Sequence, residues 1–458
     1  MTPQLIYNHS IEDSDIHNLC EDLVQYSDIA PKYYERFDVK RGLRNADGSG
    51  VIAGITRICM VHGYVMSEGE RQPIPGQLIY RGYDINDLIE NAEREDRYVF
   101  EEVAYLLLFG RLPNGADLER MTRSLGVRRE LPPGFLVDSI MQSPSNNIMN
   151  KLARSILSLY SYSDVTENTT IEDEMSIALD LIAKMPILMD GAYQAKRHKY
   201  DNASLIMHPL RPEENTAESI LSLIRNDRSY TKAEAQLLDT LLALHADHGG
   251  GNNSTFACRV ATSSGTDPFA AYTSAINSLK GPRHGGANIK VIQMLDDIKA
   301  HVAHWENEGE VADYLTKILR KEANDGSGLI YGMGHAVYTL SDPRAVILKR
   351  KAMALAAGKE IEREFKKLLD TVEKLTPELM KTVRGNDKVV CANVDMYSGL
   401  VYRMLGIPDE LFTPLFATAR MVGWAAHRME ELLTGKRIIR PAYKAIAKSK
   451  EYVPLCDR

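Results

Sequence analysis

Four histidines and one aspartate stand beside glycine-rich turns in the middle and later parts of this chain. LHADHGGGNNS carries His245 and His248, GPRHGGAN carries His284, GMGHAVYTLSDPR carries His335 and Arg344, and NVDMYSG carries Asp395. Imidazoles and a carboxylate brought in from separate turns suit acid/base chemistry on a small polar ligand better than they suit a core.

Each residue has a functional and a bland reading. His245 and His248 are three apart, as in a helical metal pair, but no third ligand stands at helical spacing and three glycines follow at once. His245, on a helix end, reads as structural, and His248, at the turn, as ligand-binding. His284 is held between a proline segment and two glycines, just before a new helix. Helix N-terminal N–H groups nearby favour a neutral imidazole, which can donate one hydrogen bond to a carbonyl oxygen. The glycines of Gly332-Met333-Gly334-His335 lack the pattern of a phosphate loop and suit close approach of an acyl carrier. Arg344 opens a helix, against the dipole, and this points to an anion partner. Asp395 reads equally as a helix cap and as a poised base. Arg420 lies in the apolar run FATARMVGW and needs an anion to satisfy it. Arg437 and Arg440 read as surface residues.

Helices must position these groups. Residues 10–30 read as a polar amphipathic helix with Ile16, Leu19, Leu23 and Val24 on one side. From about Arg41 to Tyr83, β-branched runs broken by glycines predict small strands and turns. Almost everything later reads as helix. Thr231 with Glu234 makes a capping box ahead of the stripe Leu237, Leu238, Leu241 and Leu242. Asp267-Pro268 and Asp342-Pro343 are start signals, the second for a helix to about Gly358. Lys359 to Asp387 reads as a charged, solvated face. The fold class is mainly α with a minor β element near the N-terminus.

Composition narrows the setting. The chain has 458 residues and a formal net charge of −7, which disfavours nucleic acid and anionic membranes as partners. Five scattered cysteines, Cys20, Cys59, Cys258, Cys391 and Cys456, suggest neither a disulfide framework nor a zinc site. The acidic start resembles no targeting segment, and no apolar run is long enough to span a membrane. A cytoplasmic protein is expected.

Six blocks in order, LHADHGGGNNS, GPRHGGAN, GMGHAVYTLSDPR, NVDMYSG, ARMVGWAAH and RIIRP, together with the earlier LIYRGYDINDLIE and FEEVAYLLLFGRLP, resemble the citrate synthase family from about Gly42 to Tyr443. The resemblance implies a two-domain multi-helical fold. Residues 1–283 and 400–458 would form a large domain and 284–399 a small inserted one, with a cleft that closes on substrate in a homodimer or larger homo-oligomer. It implies condensation of acetyl-CoA with oxaloacetate and hydrolysis of citryl-CoA, without cofactor or metal, acetyl-CoA being a substrate. Asp395 would be the base, His284 the donor to the thioester oxygen and His335 the donor to the ketone. His248, Arg344 and Arg420 would hold oxaloacetate, with Arg440 entering from the partner subunit. Gly332, Gly334 and Asn393 would meet CoA. The chain departs from the family at Thr339 and Leu340, where a basic residue commonly meets CoA; Lys349, Arg350 or Lys351 are the substitutes the sequence offers. Arg283 replaces an apolar residue and is either a CoA contact or a solvated side chain. The rival readings are 2-methylcitrate synthase, a metal-dependent hydrolase on His245, Asp247 and His248, and a non-catalytic helical scaffold.

Overall fold

Helices begin where the start signals stand. In the computed structural model, which describes residues 13–45, 48–67, 70–167, 169–358, 361–385 and 389–458, the Thr231 and Glu234 capping box opens the helix Lys232–His245. Its four leucines are buried. Asp267 accepts from the Ala270 N–H at 2.9 Å and opens Pro268–Lys280. Asp342 does the same for Pro343–Ala356.

Contacts divide the chain into two units, one of both ends (1–52 with 440–458) and one of residues 53–439. The expected boundaries at 284 and 399 both lie inside the larger unit. In the unit of the ends, Asp13–Ser27 is the first helix, with Ile16, Leu19, Leu23 and Val24 exposed; residues 10–12 lie outside the described residues. Lys444 lies over the Phe37 ring and ties the two ends together.

The larger unit is built around two long helices, Ile171–Tyr200 and Phe412–Thr434, packed on each other. The first is buried on every side over 181–195, as befits a helix at the centre of a large core. The second carries buried Arg420, Trp424, His427 and Arg428 among its apolar residues.

The expected β element is a three-stranded antiparallel sheet, β1 (Cys59–Ser67), β2 (Glu70–Tyr80) and β3 (Tyr83–Asp84), in the order β1-β2-β3. It begins later than Arg41. The sheet is a bracket for loops. The Gly76 N–H donates to the Ser341 carbonyl at 3.1 Å, and the Tyr338 hydroxyl donates to the Gln77 carbonyl at 3.3 Å. Any side chain at position 76 would collide with the Ser341 carbonyl and the Tyr338 ring. The Tyr80 hydroxyl sits between the carbonyls of Ala243 and Asp247 at 3.1 and 3.0 Å. One sheet thereby holds both the segment after His335 and the segment before His248.

The stretch 361–384 differs from a purely solvated face. It is helical, and Leu368, Leu369, Val372 and Thr376 are buried on one side. A π-helical turn at Glu364–Leu369 shifts the register and hides that stripe from a 3.6-residue count. Lys359 and Asp387 lie outside the described residues. Among the described residues no helix is long and apolar enough to cross a membrane.

Candidate active site

Two short segments cross beside each other and set the floor of the site. The Gly334 N–H donates to the Cys391 carbonyl at 2.8 Å, and the Asn393 N–H to the Gly332 carbonyl at 2.9 Å. The Asn393 amide adds a bond to the Gly334 carbonyl at 2.8 Å and its Oδ1 accepts from the Asp395 N–H at 2.9 Å. Gly332, expected at CoA, is required as glycine by packing. Its φ is 81°, and a Cβ there would lie 2.9 Å from the Met396 Cα. Gly334, at φ 91°, has open space beside it.

His335 and His284 are fixed in opposite tautomers. The Val337 and Tyr338 N–H groups both donate to His335 Nδ1 at 3.1 Å, which puts the proton on Nε2. The Ser254 N–H, in the first turn of the helix Asn253–Ser263, donates to His284 Nε2 at 3.3 Å. That nitrogen is the acceptor, so the proton sits on Nδ1. Burial, helped by Arg420, pushes the His284 pKa down to about 4. His284 is thus neutral, with one N–H, on Nδ1. Its turn is pinned by the Thr413 hydroxyl, which donates to the Gly285 carbonyl at 2.7 Å.

Asp395 is the first residue of the helix Asp395–Met404, whose cap position is Val394. The choice between cap and base resolves against the cap: its carboxylate accepts no hydrogen bond among the described residues. A helix N-terminus favours the ionised form, yet burial pushes this carboxyl up to about 6, opposed by Arg344 and Arg420 and assisted by Asp342. The result is a buried carboxyl that titrates close to neutrality.

Three groups give the cavity its capacity to meet an anion. Arg420 is fully buried; its Nε donates to the His245 carbonyl at 2.6 Å, and Nη1 and Nη2 have no partner. Arg344 turns Nε and Nη2 to Asp342 at 3.0 and 2.7 Å. His248 Nε2 is buried without a partner. Burial first, then Arg344, holds the His248 pKa well below its ordinary value. Its ring stands edge-on to His335 at 5.1 Å between centroids.

His248, His284, His335, Arg344, Asp395 and Arg420 all line one cavity of about 150 Å³, with Asn393. Asn252, Asn288 and Phe416 line it too; the two asparagines sit inside GGGNNS and GPRHGGAN, where the histidines drew the attention. This is less than the roughly 300–1,000 Å³ of sites for drug-sized ligands, and suits a small dianion. Cavities of about 430 and 410 Å³ lie elsewhere, but their charged groups are paired: Lys349 with Asp370 and Glu373, Arg350 and Lys351 with Glu93. None of these three is the unpaired cation sought for CoA. Arg283 is exposed. Arg440 is exposed and belongs to the unit of the chain ends.

His245 is fully buried, its ring 4.3 Å from Phe416 between centroids. Asp247 accepts from His427 Nε2 at 3.1 Å, and His427 Nδ1 faces Arg259. Sequence reading missed this buried relay, which braces the His248 turn from behind. Gly423 lets that turn rest on the central helix, donating to the Ala246 carbonyl at 3.0 Å. Among the described residues no group of three or more His, Cys, Asp or Glu is placed to hold a metal ion.

Residues 46–442 match a family model described as citrate synthase, C-terminal domain. A citrate synthase of Haloferax volcanii is 32% identical over 92% of this chain and 99% of its own length. A 2-methylcitrate synthase of Shewanella oneidensis is 32% identical over 83% and 92%. Among solved structures, citrate synthase from Thermotoga maritima has a TM-score of 0.71 at 28% identity, covering 92% of this chain and 99% of that one. The ternary complex of the Thermoplasma acidophilum enzyme with carboxymethyl coenzyme A and oxaloacetate has a TM-score of 0.74 at 26% identity, with the same coverage.

Proposed function

The chain belongs to the citrate synthase family and is an enzyme of that type, and on that premise we propose how its cavity carries the condensation of acetyl-CoA with oxaloacetate. Asp395 removes a proton from the acetyl methyl group. His284 Nδ1–H donates to the thioester oxygen as charge builds there, so the carbanion equivalent is an enol or enolate. His335 Nε2–H polarises the oxaloacetate ketone, and the new carbon nucleophile attacks it. Citryl-CoA is then hydrolysed to citrate and CoA. Arg420 and Arg344 pair with the two carboxylates and His248 adds a hydrogen bond. No cofactor takes part.

The observation that carries this reading is the pair of opposite tautomers beside an arginine with two empty donors. Two oxygens, one on each substrate, need a proton donor, and each imidazole supplies one N–H.

The finer assignments belong to the same proposal. Gly334 and Asn393 flank the acyl chain. The enzyme works as a homodimer or larger homo-oligomer, with Arg440 entering the partner's site. The setting is the cytoplasm, in keeping with five free cysteines.

Thiol release from acetyl-CoA tests the reading. Asp395→Asn is expected to lower kcat by roughly 100- to 10,000-fold while oxaloacetate still raises the Tm. Wild-type turnover in that variant ends the base role. Propionyl-CoA is the competing substrate, given the methylcitrate-forming relative. One methylene is worth only about 1–3 kcal/mol, so the ratio of the two thiol-release rates decides between them.

A further inference from the structure

Asp342 looks in sequence like a helix cap and nothing more, yet all its acceptor capacity is spent inside the site. It is 0% exposed. Oδ1 accepts from the Arg344 N–H and from Arg344 Nε, both at 3.0 Å. Oδ2 accepts from Arg344 Nη2 at 2.7 Å and from the Val394 N–H at 3.2 Å. A carboxylate has about four lone-pair sites, and here three go to the anion-binding arginine and one to the residue before the base.

We propose that Asp342 is a positioning residue of the condensation: one buried carboxylate fixes both the guanidinium that holds oxaloacetate and the start of the helix that carries Asp395. This rests on the roles given above to Arg344 and Asp395. The arginine is 4% exposed, and without an anion on that side its fork would swing free. The Val394 bond spans 52 residues of sequence and links two segments that reach the cavity separately. A shift of about 1 Å between anchor and base is enough to cost roughly 100-fold in rate.

The same carboxylate acts through space. The charged and titratable groups around Asp395 are Arg344 and Asp342 from the start of one helix, Arg420 from the central helix, Tyr402 on its own helix, and the cavity histidines 248, 284 and 335. Around Asp342 they are Arg344, Asp395, Tyr338 and Cys391. Asp342 is the only anion in the first set. It opposes the pull of two arginines and keeps the base strong.

Asp342→Asn tests both roles, since asparagine still caps the helix through Oδ1. Removing the anion and freeing Arg344 both favour ionised Asp395. The acid limb of kcat/KM for acetyl-CoA is therefore expected to move down by about one pH unit or more, and the KM for oxaloacetate to rise about tenfold. An acid limb at the wild-type pH would overturn the proposal and leave Asp342 a helix cap. Val394→Pro is the second variant: φ at 394 is −57°, the value proline fixes, so the N–H is removed while that backbone angle is kept. Its kcat is expected to fall about tenfold or more with the acid limb in place; an unchanged kcat would overturn the tether. Failure of the underlying assignment looks different, because then Asp395→Asn itself turns over normally.

Discussion

Two arginines on the central helix, Arg420 and Arg428, are both buried, at 0% and 1% exposure, and have opposite fates. Arg428 is fully spent: Nε and Nη2 reach Glu174 at 2.7 and 2.6 Å, Nη1 reaches Thr262 at 3.1 Å, and Nη2 also reaches the Thr266 carbonyl at 3.1 Å. Arg420 spends one donor on the His245 carbonyl and keeps two with nothing to meet. Depth does not separate them. The difference is whether the chain brings its own anion. A buried cation paired internally is part of the scaffold; one left unpaired in a cavity is a binding group, and its desolvation cost is offset only when ligand arrives.

Truncating each arginine in turn should give opposite symptoms. Arg420→Leu is expected to cost about 3–5 kcal/mol, or roughly 100- to 5,000-fold, in kcat/KM for oxaloacetate, with an unchanged or higher Tm for the free enzyme. A lower Tm and normal kinetics would make Arg420 structural. Arg428→Met should show the reverse: about 3–5 kcal/mol lost in chemical denaturation, because Glu174 is left buried and unpaired, with normal oxaloacetate KM in what remains folded. Adding Glu174→Met should restore most of that stability; no recovery would mean that the pair is not the cause.

A smaller effect separates the cavity from the scaffold through pH. In the proposed mechanism Asp395 works ionised, and its pKa is raised to about 6, so kcat/KM for acetyl-CoA should hold above that pH and fall about tenfold per unit below it. His284 works neutral and has its pKa lowered to about 4, so it adds a second loss only near that lower pH. A limb near pH 4 alone would contradict the raised carboxyl.

The site residues were legible because chemistry and local backbone coincide. His248, His284 and His335 each stand in a glycine-bearing turn, Asp395 follows an apolar run in NVDMYSG, and Arg420 is conspicuous in an apolar run. Helix starts were legible where a cap and a proline or glutamate share three or four residues. What escaped is long-range. Asp342 looks complete as a cap, and nothing near it in sequence announces Val394. The sheet was visible as strands, but its use, Gly76 against Ser341 and Tyr80 against Asp247, joins segments more than 160 residues apart. The His427–Asp247 contact spans 180. Periodicity can give Asp13–Ser27 as a helix; it does not say what covers Ile16 or Leu23.

The walls of the cavity run from His248 to Arg420 along the chain, and the order in which they are synthesised has a consequence. On the proposed roles, every group that handles the acyl substrate is made before Arg420, the second arginine for the keto acid. A chain that stalls, or is cut, anywhere between Asp395 and Arg420 owns a base and two imidazole donors but no complete acceptor site. It also lacks the helix on which the His248 turn rests. On the proposed roles, such an unfinished product carries the groups assigned to the acyl substrate without the arginine assigned to the keto acid.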